Sequence, residues 1–390
     1  MTHPFKNKFT LLIKKTNLSV ARYKFATWLL VVFTMVCGAA TQPTVKIAPI
    51  VLRTTPLPFT PKEFYIAEVK DERDDRKAVA YLIPAPASPS VPLATTAQPV
   101  DLQGGGLVAI REFIQGSWPQ NNKLRPLIIR LKECKVVETP GATKGRVDGR
   151  INIAMAFDYR REGKPVHLVE YRGGARYSRP ANSFSVIEPT LRQSLIGGIR
   201  YINIWMDQEA GRNEKLATGI QVNLTDYVQN VEDDTVFYTP NRPLKWSDFT
   251  ATPRGGKYAA LVFPSFAYQG GSEVVNGIIQ LNLTVKVYVI RSSSWVKDAA
   301  RDAYSLNHEQ RHFDIVKLVA ERFKRKIHPD SLTLDDYNSI VQYKFIESFR
   351  EMNKMQEKYD GETGHGTNAA AQEAWNARID ADLRKYGVKQ

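Results

Sequence analysis

The chain is 390 residues long, 43% hydrophobic and 24% charged, with a formal net charge of +14. That balance excludes a generally disordered or collagen-like chain and leaves room for two or three packed domains. Six of the fourteen excess positive charges fall before residue 41, leaving +8 downstream; with no zinc-knuckle spacing, helix-turn-helix cue or arginine-rich stripe, nucleic acid is not an expected partner.

In chain order, the first segment reads as an export signal. Lys6, Lys8, Lys14, Lys15, Arg22 and Lys24 come without an acid, the apolar run 25–36 follows, and Gly38, Ala39 and Ala40 offer a cleavage site. Residues 1–40 are therefore expected to be a signal peptide that places the protein in the periplasm or outside the cell. The apolar run falls short of the roughly 20 residues of a spanning helix, and retention as a membrane anchor is the alternative. Cys37 makes a poor lipidation site, because Val36 stands where a small residue is wanted. Beyond the signal only Cys134 remains, so no internal disulfide can form. Residues 41–61 carry five prolines and no clear period, and read as an extended tether.

Residues 62–230 read as an α+β accessory or binding domain with an antiparallel sheet. Strands are expected at Glu63–Val69, in AVAYLI, and at 126–137, 149–159 and 167–177. Helices are expected at Leu107–Ile114 and Glu188–Met206, and a proline-rich loop follows AVAYLI. The element order and the stretch VKDERDD resemble the small periplasmic lipoprotein domains that accompany ABC transporters, over Lys62 to Val228. That likeness implies a docking role towards an envelope-protein partner; no catalytic constellation is visible here.

Acidic and turn residues near Val231 mark a boundary, and 231–390 read as a second α+β domain. A strand is expected at Tyr258–Tyr268, and GIIQLNLTVKVYVI alternates with Ile279, Leu281, Leu283, Val285, Val287 and Val289 on one face. Three helical patterns follow. The first, capped by Ser294, holds His308 and His312; the second runs from Leu334 to about Lys358 and ends at Gly361; the third runs from Asn368 to Tyr386.

The core of the first helix is His308-Glu309-Gln310-Arg311-His312. Residues four apart on a helix share a face, so both imidazoles can converge on one ion, with Glu309 beside them to move a proton. They lie on the apolar stripe with Ile315, Val316, Val319 and Phe323, where two satisfied core histidines are the bland alternative. A catalytic site needs three protein ligands and an open position. Ile315 stands where an H-x-x-G-x-x-H extension would need glycine, and no N-E-x-x-S-D follows. The stretch YDGETGHG supplies Asp360, Glu362 and His365 as candidates for the third ligand, with Glu347 and Glu351 further off. Tyr359 is a candidate for the oxyanion or for supporting the ligands.

Strand, H-E-x-x-H helix, second helix and a later ligand is the plan of the zincin metallopeptidases. More specifically, RPLKWSDF, SWVKD, LNHEQRHFDI and QEKYDGETGHG followed by QEAW resemble a bacterial family of secreted proteins of unknown function described as predicted zinc proteases, over Asp233 to Gln390. The resemblance implies Zn²⁺ as cofactor and His365 as third ligand, matching the motif's histidine. The resemblance names no substrate, but with three ligands on Zn²⁺ the pKa of a bound water would fall and Glu309 would take its proton as general base, which points to hydrolysis of a peptide or protein substrate. The alternative is a non-catalytic envelope binding or scaffold protein with a zincin-like domain.

Overall fold

Long alternating runs in the first half of the chain build a six-stranded sheet. The computed structural model describes residues 46–88, 91–117, 121–229 and 231–388; the expected signal 1–40 and the first residues of the expected tether lie outside them. Strands β1 (Phe64–Asp71), β2 (Ala80–Leu82) and β3 (Gln98–Val100) precede helix α1 (Gly106–Gly116), and β4 (Arg125–Pro140), β5 (Arg146–Arg161) and β6 (Lys164–Pro180) follow it. The sheet runs β3-β2-β4-β5-β6, with β1 also beside β4. Neighbours β4, β5 and β6 are antiparallel, as expected, but β1 and β2 join β4 in parallel. The sheet is therefore mixed, because the chain crosses over through α1 before it returns as β4.

Helix α2 (Ile187–Glu209) buries Leu191, Leu195, Ile199, Ile202 and Met206 in one core with Ile151, Ile153, Met155 and Phe157 of β5. Their spacing of three and four residues is one helical face. At one end of the sheet the Tyr177 ring lies across Gly149, where a Cβ would come within 2.1 Å of the ring. The tyrosine hydroxyl thereby reaches Glu138 at 2.7 Å, and Arg179 donates to the same buried carboxylate at 2.7 Å. From residue 46 onward the expected tether is instead part of this core. Ile47, Ile50, Leu52, Leu57 and Phe59 pack against it, and the Ile50 N–H donates to the Asp101 carbonyl at 3.1 Å. Apolar side chains between the prolines bury enough surface to dock the segment.

The second core begins at Ala217, directly after Leu216 ends the first. Strand β7 (Gly219–Asp226) pairs in parallel with a later strand through Ile220, Val222 and Leu224, so the second sheet recruits residues ahead of the expected start at Val231. The remaining strands are β8 (Val231–Glu232), β9 (Thr235–Phe237), β10 (Ala260–Leu261), β11 (Pro264–Val275), β12 (Ile278–Ile290) and β13 (Trp295–Val296). Strand β12 is central, between β11 on one side and β7 and β9 on the other, while β10 and β13 form a separate antiparallel ladder. The expected strand Tyr258–Tyr268 is thus split. Between its halves the Val262 and Phe263 N–H groups donate to side chains, Glu309 and Ser294, and not to a neighbouring strand.

Helices α3 (Ala303–Lys326), α4 (Tyr337–Thr363) and α5 (Ala369–Lys385) complete the chain. Phe313, Val316, Val319, Ala320 and Phe323 of α3 share a core with the expected apolar face of β12. The N-cap of α3 is Asp302, whose carboxylate accepts the Ser305 N–H at 2.8 Å; Ser294 instead donates to the Ile290 carbonyl at 2.7 Å. Helix α4 runs past Gly361 and stops at Gly364, which takes the left-handed conformation, φ 58°. One glycine inside a helix costs only about 1 kcal/mol, so the stop comes where a left-handed cap is available. Asp360 and Glu362 are therefore helical residues and not loop residues. The fold is α+β, and among the described residues no helix is long and apolar enough to cross a membrane.

Candidate metal centre

His308 and His312 sit one turn apart on the inner face of α3, 6% and 8% exposed. The last full turn of α4 brings Asp360 against them. Its Oδ1 lies 2.9 Å from Nε2 of His312 and 3.3 Å from Nε2 of His308. The ligand-type atoms of His308, His312 and Asp360 all fall within 4.8 Å of one another, a group able to hold a metal ion.

The outward nitrogens are equally fixed. Nδ1 of His312 meets Oε1 of Gln356 at 3.0 Å, one turn before Asp360 on α4, and Nδ1 of His308 meets Oε1 of Gln372 on α5 at 2.9 Å. Each histidine thus donates from Nδ1 and turns Nε2 towards Asp360. Tyr359, fully buried, stacks on the His308 ring at 4.8 Å and meets the His312 ring edge-on at 5.0 Å, with Trp375 of α5 packed against it at 5.5 Å. Its hydroxyl donates to the His308 carbonyl at 3.4 Å. Tyr359 therefore supports the histidines and has no exposed hydroxyl to offer an oxyanion. Gly366 closes over His308: φ is 83°, and a Cβ there would sit 3.3 Å from Cγ and Nδ1 of the imidazole.

The other candidates fall in different places. His365, half-exposed and in the left-handed region at φ 54°, puts Nδ1 3.5 Å from Oδ2 of Asp360 and packs edge-on to Tyr258 at 4.9 Å. It touches the outer oxygen of Asp360, not the histidine pair. Glu362 points the other way, because residues two apart on a helix face nearly opposite sides. It accepts from Nε1 of Trp375 at 2.8 Å and lies 3.6 Å from the Lys358 ammonium. Glu351 pairs with Arg322 and Lys326, and Glu347 lies near Lys344, so neither approaches the site.

Glu309 is almost fully buried, and its Oε2 accepts the Val262 N–H at 2.9 Å. Burial pushes its carboxyl pKa up, and the flanking histidines and the Val262 N–H only partly oppose that. Burial would also raise Asp360, but its contacts with His308 and His312 outweigh this and hold it well below the usual carboxylate range. The same contact acts on His312, where burial disfavours the cation and Asp360 more than compensates, so its pKa rises. Glu309 therefore lies nearer to protonation than an exposed glutamate, beside an Asp360 that stays ionised.

No motif points to Gln356, Gln372 or Val262. Gln356 was reachable in principle, since it lies four residues before Asp360; Gln372 comes from another helix and Val262 from a strand end, which no local pattern connects to His308.

Fold and site together define an α+β chain with a buried His-His-Asp group able to hold a metal ion. No family model matches the chain, and no curated protein matches it. Among solved structures, protein XCC0632 from Xanthomonas campestris, of family DUF330, is similar over 42% of this chain and 97% of its own, at 11% identity and a TM-score of 0.26.

Proposed function

We propose that this protein is an exported zinc-dependent metallopeptidase in which His308, His312 and Asp360 hold the metal and Glu309 carries the proton. The observation behind the reading is the pair of glutamine carbonyls on the two Nδ1 atoms, which leaves both Nε2 atoms facing one carboxylate. Core histidines need no common partner, and two imidazoles aimed at one carboxylate are what a three-ligand site would require. The donor set of two imidazoles and one carboxylate suits zinc, and the resemblance to predicted zinc proteases points the same way. Asp360 takes the role that the motif comparison gave to His365, which sits behind it and orients its second oxygen.

When bound, zinc supplies Lewis-acid activation of water and of a substrate carbonyl. Glu309, with its pKa raised by burial, accepts the proton from water and returns it to the departing amine. The Val262 N–H holds the glutamate to the end of β10.

That strand end also gives a peptide a place to lie. The Lys297 N–H donates to the Ala259 carbonyl, so odd-numbered residues of this stretch turn their backbone groups towards β13. Even-numbered residues, Ala260 and Val262, face the other way, the side on which Val262 meets Glu309. An extended peptide pairing with β10 on this side would run past Glu309 and meet Ala260, since the Val262 N–H is already taken by the glutamate. For the N-terminal sheet we keep a docking role towards an envelope-protein partner.

The second reading, a non-catalytic scaffold with a structural metal, draws on the burial of Glu309 and its bond to Val262. Zinc content and hydrolysis of a mixed peptide set separate the two. Glu309→Gln should keep close to one zinc per chain and lose hydrolysis. A parent protein that binds zinc and cuts no peptide would favour the scaffold; a parent without zinc would remove the metallopeptidase reading.

A further inference from the structure

The carboxylate assigned to proton transfer is shut in. Glu309 is 6% exposed, and its Oε2 is occupied by the protein's own Val262 N–H. A peptide comes within hydrogen-bond reach of such a carboxylate only after a neighbour has moved. Of the elements that meet the site, α3, α4 and α5 are long helices packed on one another through Leu318, Tyr359 and Ile379. The stretch 257–262 is held more lightly. It touches the site at both ends, where the Tyr258 ring packs edge-on to His365 at 4.9 Å and Val262 bonds Glu309 at 2.9 Å. Between them β10 is two residues long, and it pairs only with β13, Ala260 with Val296 and Leu261 with Trp295. Lys297 adds its N–H on the Ala259 carbonyl at 2.9 Å and its ammonium on the Gly256 carbonyl at 2.7 Å.

Both boundaries of this stretch suit a moving part. Before it stand Gly255 and Gly256, with open space around each and φ 115° at Gly256. After it the chain is pinned: the Phe263 N–H donates to Ser294 Oγ at 2.9 Å, its carbonyl accepts the Ile290 N–H at 3.1 Å, and Pro264 then opens β11. Of residues 257–262 only Val262 is buried, so lifting them uncovers little apolar surface. A glycine hinge at one end and a fixed point at the other let the segment swing while the helices stay packed. Resting on the metallopeptidase reading, we propose that 257–262 is a strap that closes the metal centre at rest, with the Val262 N–H holding Glu309 out of use. Lifting β10 from β13 frees the carboxylate and, in the same movement, the Val262 N–H on which a peptide can pair. Glu309 thus has one partner at a time, Val262 when the strap is down and the reacting water when it is up.

The strap can be tied to test this. Because the bond between Ala259 and Lys297 makes that pair a hydrogen-bonded one, Ala260 and Val296 form the non-hydrogen-bonded pair beside it, with Cα atoms about 4.5 Å apart and within disulfide range. The full chain carrying Ala260→Cys and Val296→Cys is compared oxidised and after reduction by a phosphine; the native Cys134 is buried. Glu309 is read in the zinc-free chain by carbodiimide labelling located by mass spectrometry. The reduced form should label at Glu309 roughly tenfold or more faster than the oxidised form, while the exposed Asp330 labels equally in both. Tyr258→Ala removes the ring from His365 and leaves the metal ligands in place, so it should label at Glu309 faster than the wild-type chain. Equal labelling of the oxidised and reduced forms, or a Tyr258→Ala chain no faster than wild type, overturns the proposal. Hydrolysis by the zinc-loaded chains is scored separately: cutting by the oxidised form at the rate of the reduced one leaves the enzyme reading standing and the strap fallen, and strap-dependent labelling without any cutting by the wild-type chain does the reverse.

Discussion

Gln372 presents Oε1 to Nδ1 of His308 at 2.9 Å while its own Nε2 donates to Oδ1 of Asn307 at 3.3 Å. The second contact decides which end of the amide faces the imidazole, so His308 must donate from Nδ1 and keep Nε2 for Asp360 and an ion.

Removing that carbonyl should therefore weaken metal binding without removing a ligand. Gln372→Ala is expected to lower zinc affinity about 10–100-fold, with one zinc per chain still reached at saturation. Chelator competition measures this, and an unchanged affinity would show that the imidazole is oriented by packing alone.

Asp360 and His365 differ in what they touch, and their substitutions should differ too. Asp360→Ala should lose the metal, because the carboxylate stands against both Nε2 atoms. His365→Ala should keep close to one metal per chain, since its Nδ1 reaches only the outer oxygen of Asp360. Elemental analysis of the two purified variants decides it; the opposite pattern would return the third ligand to His365.

Two glycines in the same stretch should respond with opposite signs. Gly366→Ala adds a methyl group 3.3 Å from the His308 ring at φ 83°, and is expected to cost about 1 kcal/mol or more and to weaken zinc binding. Gly361 lies inside α4 with open space around it, so Gly361→Ala should gain about 0.5–1 kcal/mol. Thermal unfolding of the metal-free variants reads both.

Acid should act on the second core through Asp248. Burial alone would raise this carboxyl, but the Arg242 guanidinium at 2.7 and 2.9 Å and the Lys245 N–H at 2.8 Å outweigh it, and the folded pKa lies below the ordinary 3.8. The unfolded chain therefore takes up the proton first as pH falls. Its stabilisation is complete above the ordinary carboxylate range and fades as pH falls through 3.8 towards the folded value. Asp248→Asn should be less stable than the parent at neutral pH, with a gap that narrows in acid; urea unfolding across a pH series that shows a constant gap would refute the assignment.

In the first core, Glu138 and Arg179 are both almost completely buried and bonded at 2.7 Å. Glu138→Ala leaves the guanidinium uncompensated and should cost about 3–5 kcal/mol, measured by chemical denaturation. A loss under 1 kcal/mol would mean that water or the nearby carbonyls replace the carboxylate.

Much of the fold was legible because its signals are local. The alternation of β12 names its buried face, the i and i+4 spacing puts His308 and His312 together, and Asn368 caps the start of the last helix. Local signals also misled. Gly361 looked like a helix end, yet α4 continues to Gly364, and the prolines of 46–61 looked like a tether, yet Ile47, Ile50 and Phe59 dock on the first core.

The local pattern of the chain limits the chemistry that can occur: two imidazoles and a carboxylate on one helix, and a short list of partners downstream. Which partner meets them depends on how the helices pack. A ligand's place depends on the direction of a side chain at the end of another helix, and α4 extends just far enough to aim Asp360 at the histidines and Glu362 at Trp375. The two glutamines depend on how α4 and α5 pack against α3. No periodicity in the chain records that, because the contacts join residues more than forty positions apart.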